Sequence, residues 1–136
     1  MHGGLQVGKT RWAHYQTGYH LVWIPKYRRK VLEDEVASET KRLIREACSQ
    51  HGLQLLAIET DLDHVHVFVS AAPRWSPAQL ANLLKGHSSK YLRERFPRLK
   101  RLCGPDQLWS QAYYVGTVGE VSAETIRRYI QQCQGK

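Results

Sequence analysis

The 136-residue chain has no apolar run approaching the roughly 20 residues that a helical membrane span requires, so no transmembrane helix is predicted. Cysteine is scarce: Cys48, Cys103 and Cys133 are odd in number, far apart and without a C-x-x-C pair. That usage excludes a disulfide framework and predicts buried or idle thiols in a reducing compartment. The start, Met1-His2-Gly3-Gly4, lacks the apolar core of a secretion signal, and with the cysteines it predicts a cytoplasmic protein with no membrane partner. Acidic side chains are the minority as well, with 12 Asp and Glu against 20 Lys and Arg, a formal charge of +8. Such an excess on a small protein points to a polyanionic partner, most often nucleic acid. The length suits one ordinary hydrophobic core.

Residues 1–12 contain glycine and lack periodicity, which predicts a flexible arm ahead of one domain over residues 13–136. Within the arm, Gly3-Gly4-Leu5-Gln6-Val7-Gly8-Lys9-Thr10 formally matches a phosphate-binding loop. The match is a decoy, because that motif works only between a buried strand and a helix N-terminus, and no strand precedes Gly3 in this sequence.

Aromatic and β-branched residues predict a first strand over Tyr19-His20-Leu21-Val22-Trp23-Ile24, stopped by Pro25, with the basic connector Lys26-Tyr27-Arg28-Arg29-Lys30 behind it. From Asp34 to His51, Val36, Leu43, Ile44, Ala47 and Cys48 recur at helical spacing, and Gly52 supplies the stop. A strand from Leu53 to Thr60, a tight link through Asp61-Leu62-Asp63, and a strand from His64 to Ser70 together predict a hairpin. A second helix opens at Ser76-Pro77, with Ser76 as cap, and runs towards Pro97; the stretch from there to Gln107 reads as loop. Residues from Tyr113 to Val118 form a fourth strand, and Ser122 caps a last helix. The order βαββαβ plus a C-terminal helix predicts an α+β, ferredoxin-like fold: a four-stranded antiparallel sheet with both crossover helices on one face. That architecture hosts many functions, so side chains must decide between them.

His64 and His66 are two apart in a strand, which puts both imidazoles on one face with Val65 packed into the core behind them. Two imidazoles so placed form a candidate two-ligand metal site; the alternative is a pair of half-buried polar residues on an amphipathic strand. In the last helix, Arg127, Arg128, Tyr129, Gln131 and Gln132 offer a polar surface with one phenol. A phenol with pKa near about 10 is a weak nucleophile at neutral pH, and a metal that polarises a phosphate lets it attack without prior ionisation. Taken alone, Tyr129 reads more readily as an amphipathic core tyrosine near the chain end than as a nucleophile. Around Tyr27, the cations Lys26, Arg28, Arg29 and Lys30 combine backbone charge with a ring for base stacking, as binders of single strands do. Lys85 and Lys90 in the second helix are the next candidates for phosphate contact.

Five blocks, in order, carry a family resemblance. They are Tyr19-His20-Leu21-Val22-Trp23-Ile24-Pro25-Lys26-Tyr27-Arg28-Arg29-Lys30, Asp63-His64-Val65-His66, Leu84-Lys85-Gly86-His87-Ser88-Ser89, Leu108-Trp109-Ser110 with Tyr113-Tyr114-Val115-Gly116-Thr117-Val118-Gly119, and Arg128-Tyr129-Ile130. From about Tyr15 to Gln132 the chain resembles the single-tyrosine HUH transposases, the small enzymes of insertion sequences that move as single-stranded DNA. The resemblance implies a homodimer that joins its sheets, the tyrosine helix of each subunit completing the metal site of the other. It implies a divalent ion, Mg or Mn, on His64 and His66, and hairpin-containing single-stranded DNA ends as substrate. Tyr129 would attack a DNA phosphate to leave a 5′-phosphotyrosine and a free 3′ hydroxyl, and strand transfer would reverse that step.

Two positions depart from the family pattern. A glutamine usually stands four residues after the tyrosine as third metal ligand, whereas here that position is Cys133, whose thiolate suits soft ions. Gln132 lies close enough on the helix surface to substitute, with Cys133 as its rival. Family members often have proline where Gln111 stands. The alternatives are a domesticated relative that cuts genomic palindromes, a catalytically impaired binder of single-stranded nucleic acid, and a zinc-binding structural protein using His64, His66 and Cys133. An RNA-binding module of the same fold would carry a K/R-G-F/Y pattern on a central strand, which is absent.

Overall fold

The computed structural model of the protein describes residues 17–119. Its elements are β1 (Thr17–Trp23), α1 (Asp34–Gln50), β2 (Gln54–Asp61), β3 (His64–Ala71), α2 (Pro77–Arg95), α3 (Arg98–Cys103) and β4 (Tyr114–Gly119). The N-terminal arm and the tyrosine helix, with Tyr129, Gln132 and Cys133, lie outside the described residues. The strands form one sheet in the order β2-β3-β1-β4 with every neighbouring pair antiparallel, the ferredoxin-like arrangement. β1 and β2 both pair with β3 and so run parallel to each other, and parallel strands need a long crossover, which α1 provides.

Local chemistry sets the punctuation. Gly52, at φ +68, ends α1 in a left-handed conformation that a side chain would strain. The β2–β3 hairpin turns on Leu62 and Asp63 alone, since Asp61 and His64 are already register partners. At the start of α2, Ser76 Oγ accepts from the Gln79 amide at 3.1 Å and Gln79 Oε1 accepts from the Ser76 amide at 2.9 Å. This reciprocal box satisfies two amide donors, and Pro77 occupies the first helical position, where no amide is needed.

The core lies between one sheet face and the helices. Leu21 and Trp23 of β1 and Val65, Val67 and Val69 of β3 pack with Val36, Leu43, Ile44 and Ala47 of α1 and Leu80, Leu84 and Leu92 of α2. Burying each large apolar side chain contributes about 1.5–3 kcal/mol. Period-two alternation then places His20 and Val22, and His64, His66 and Phe68, on the opposite face.

One expectation fails between Pro97 and Gln107, where the sequence reads as loop and the structure forms α3. Leu99 and Cys103, four apart, are both fully buried, and Gly104 at φ +114 ends the helix. Two apolar anchors in a basic hexapeptide are too few to register as a period. After α3 the chain runs back beside the end of β1, where Pro25 bridges Trp109 and the Ser110 amide donates to Ile24 O at 2.9 Å. Trp109 packs edge-on to Trp23 and donates from Nε1 to Ser88 Oγ at 3.0 Å. Cys48 and Cys103 are buried free thiols, and burial pushes Cys48 up to about 12, so it stays protonated and unreactive. No described helix is long and apolar enough to cross a membrane.

Candidate metal centre

His64 and His66 open β3 on the sheet face away from α1 and α2, and Val65 between them is fully buried on the helix side, as the alternation predicts. Their rings stack 5.9 Å apart between centroids at 23°. His64 Nδ1 donates to Asp63 Oδ1 at 2.7 Å, and Arg28 Nε donates to the other carboxylate oxygen at 3.1 Å. Burial raises the Asp63 carboxyl, but the His64 hydrogen bond and charge and then those of Arg28 outweigh it and hold the group below its usual range. An ionised carboxylate only accepts, so Nδ1 of His64 carries a proton, and in the neutral ring Nε2 is then the bare lone pair.

His66 is held differently. Its Nδ1 lies 3.4 Å from Nε2 of His20, reached diagonally across the β1–β3 ladder, where His20 opposes Phe68 and Val22 opposes His66. Burial, then the charge of His64, lowers the His66 pKa, so the ring is neutral at pH 7, the state in which imidazole ligates a metal. His20 is 8% exposed, stacks on Phe68 at 4.1 Å and 12°, and is pushed down to about 4 by burial and by His66. Sequence reasoning assigned His20 and Asp63 no role. Asp63 could have been read from its place beside His64; His20 could not, because its approach depends on the register between β1 and β3.

A divalent ion fits this donor set as far as it goes: two imidazoles, one with its Nδ1 held by a carboxylate. Among the described residues no group of three or more His, Cys, Asp or Glu side chains could hold a metal, so His64 and His66 do not make a closed site by themselves. The proposed further ligands, Gln132 or Cys133, and the nucleophile Tyr129 fall outside the described residues.

The basic connector lies beside the centre. Lys26, Tyr27 and Arg28 form a single 3-10 turn in which Tyr27 at φ 62 and Arg28 at φ 53 are both left-handed. Each such non-glycine residue costs about 1–2 kcal/mol, a strain tolerated where surroundings over-determine it. Here the Arg28 amide bonds to Pro25 O at 2.8 Å, the Lys26 amide to Leu108 O at 2.8 Å, and the Arg28 side chain to Asp63. The turn leaves Tyr27 70% exposed, with the Lys26 ammonium and the Arg29 guanidinium each 5.9 Å from its ring centroid. Arg29 and Lys30 are exposed.

The second-helix cations divide. Lys85 is half-buried and donates to Ser110 O at 2.8 Å and Gln111 O at 3.3 Å, and desolvation lowers its pKa. It therefore ties α2 to the segment before β4 at the rim of a cavity of about 530 Å³. Lys90 is exposed, its ammonium 5.2 Å from the Tyr91 ring.

The family of IS200-like transposases matches residues 13–133. The chain is 36% identical over 132 residues to the ISDra2 transposase TnpA of Deinococcus radiodurans, covering 97% of this chain and 94% of that protein. It is 34% identical over 124 residues to the transposase of insertion sequence IS200 from Salmonella typhimurium, covering 91% and 79%. A crystal structure described as that of a transposase from Deinococcus radiodurans superposes with a TM-score of 0.76 at 37% identity, covering 93% of this chain and 97% of that one. A REP-associated tyrosine transposase bound to a REP hairpin shares the fold, with a TM-score of 0.59 at 10% identity and coverage of 93% and 69%. With the family matched over residues 13–133 and a relative 36% identical across 97% of the chain, the chain belongs to the IS200-like transposases.

Proposed function

We propose that this transposase cuts and rejoins single-stranded DNA at hairpin-containing insertion-sequence ends through a covalent bond to Tyr129. The observation that carries the reading is the His64–His66 pair on the sheet face opposite the helices, with Nδ1 of His64 on the Asp63 carboxylate and Nδ1 of His66 beside His20. His64 and His66 would hold Mg or Mn, with Gln132 as third ligand and Cys133 as its rival. When bound, that ion supplies Lewis-acid polarisation of the scissile phosphate. Tyr129 Oη attacks phosphorus and gives up its proton, the P–O bond to the 3′ oxygen breaks, and the products are a 5′-phosphotyrosine and a 3′ hydroxyl. Joining runs the same step backwards: a 3′ hydroxyl attacks the phosphotyrosine and releases the phenol. Bond energy is conserved, so no nucleotide cofactor is needed.

The turn over residues 26–30 would seat the strand, with Lys26, Arg28, Arg29 and Lys30 on phosphates and the exposed Tyr27 ring stacked on an unpaired base. Lys90 would add a phosphate contact along α2, and Lys85, fixed to two carbonyls, one at the cavity rim. Among the described residues β4 pairs only with β1, so its outer edge can accept a strand from a second copy. A homodimer joined there would let each tyrosine helix serve the other subunit's histidines, within the cytoplasm where the DNA is.

The test incubates the full chain and its Tyr129→Phe variant with single-stranded hairpin ends from the flanks of its own gene and Mg or Mn. Wild type should give a covalent protein–DNA adduct and Tyr129→Phe none, with hairpin binding retained. Absence of an adduct with every ion overturns the cleavage reading and favours an impaired binder, for which Cys133 at the usual glutamine position is the motivating feature.

A further inference from the structure

We propose that His20 is a positioning residue for His66: its Nε2 accepts a hydrogen bond from His66 Nδ1–H and holds His66 in the tautomer whose Nε2 lone pair is free for a cation. The inference rests on the metal-centre reading, and its first test needs no metal. Two imidazoles that meet nitrogen to nitrogen share one proton between them. Were the proton on His20, His66 Nδ1 would accept, its own proton would sit on Nε2, and the ligand atom would be blocked. His64 avoids that outcome through the Asp63 carboxylate, which can only accept. For His66 the neighbouring strand supplies a ring instead, at 3.4 Å.

The surroundings fix His20 in place. It lies flat on Phe68 at 4.1 Å and meets the Tyr114 ring edge-on at 5.7 Å. Opposite it on β4 stands Gly116, over which the Tyr114 ring folds so closely that a Cβ there would come within 2.7 Å of the hydroxyl. A neutral imidazole has one acceptor nitrogen, and His20 turns Nε2 towards Nδ1 of His66. His20 is not a third ligand, since no trio of such side chains among the described residues has the geometry to hold a metal.

Long-range proton–nitrogen correlation spectra of the ¹⁵N-labelled, metal-free full chain at neutral pH read both tautomers directly. The expected pattern is His66 protonated on Nδ1 and His20 unprotonated on Nε2; the reverse pattern overturns the proposal. A Mn titration followed by electron paramagnetic resonance then compares two variants. His20→Gln keeps an acceptor near the Nε2 position and should bind Mn close to wild type. His20→Phe keeps the stack on Phe68, loses the acceptor, and should bind about 10–100-fold more weakly. Equal affinities for the two variants also overturn the proposal. Should wild type bind no Mn, the metal-centre reading fails on its own, and the tautomer spectra still decide the role of His20.

Discussion

The two faces of the sheet are made from the same strands and differ in nearly every physical respect. On the helix side Leu21, Trp23, Val65, Val67 and Val69 alternate into a dense apolar layer. On the other side the same strands present His20, His64 and His66, a row of imidazoles linked by stacking and hydrogen bonds. Residues 20 to 23 of β1 and 64 to 67 of β3 therefore alternate between the apolar core and the histidine-bearing face. One face holds the backbone still so that the other can hold three rings in place.

This division can be tested by breaking each side. Trp23→Ala should cost about 3–5 kcal/mol of unfolding free energy, read from the urea midpoint, because it empties a site between β1 and the Trp109 segment. Its Mn affinity, measured under conditions where the variant is folded, should change little. Asp63→Ala should do the reverse, lowering Mn affinity about 10–100-fold by freeing the His64 ring while the urea midpoint stays near wild type. If Asp63→Ala instead destabilised the protein as much as Trp23→Ala, the two faces would not be separable. The smallest effect should come from the strained turn. Tyr27→Gly relieves a left-handed side chain and should raise stability by about 1 kcal/mol. The same change should weaken single-strand binding by about 1–3 kcal/mol for a lost stacked base, measured by fluorescence anisotropy. Opposite signs in one substitution would mark the strain at Tyr27 as kept for binding.

Much of the fold is legible because its boundaries are written in residues with fixed conformational meaning: Pro25, Gly52, Ser76-Pro77 and Pro97 punctuate β1, α1 and α2. Observed strand ends differ by only a residue or two, as with β1 starting at Thr17 and β4 at Tyr114. α3 escapes because six residues with two buried anchors carry too little periodicity. At the site, His64 and His66 are legible from local alternation alone. His20 is not, since its meeting with His66 needs the pairing of β1 with β3 between residues 46 positions apart. Nor does the sequence announce that Arg28 braces Asp63, or that Tyr27 and Arg28 are both left-handed, because non-glycine residues give no warning of positive φ. Local pattern reveals which residues share a strand face; only register reveals which of them meet across strands.

His64 and His66, half-buried on the sheet face turned away from the helices, are proposed to bind a divalent ion without helping to hold the fold together. Titration of Mn into wild type and the His64→Ala, His66→Ala double variant, with thermal unfolding recorded on the same samples, tests it most directly. Wild type should bind Mn, the double variant should lose that binding, and both should melt within a few degrees of each other. Undiminished Mn binding by a folded double variant would contradict it.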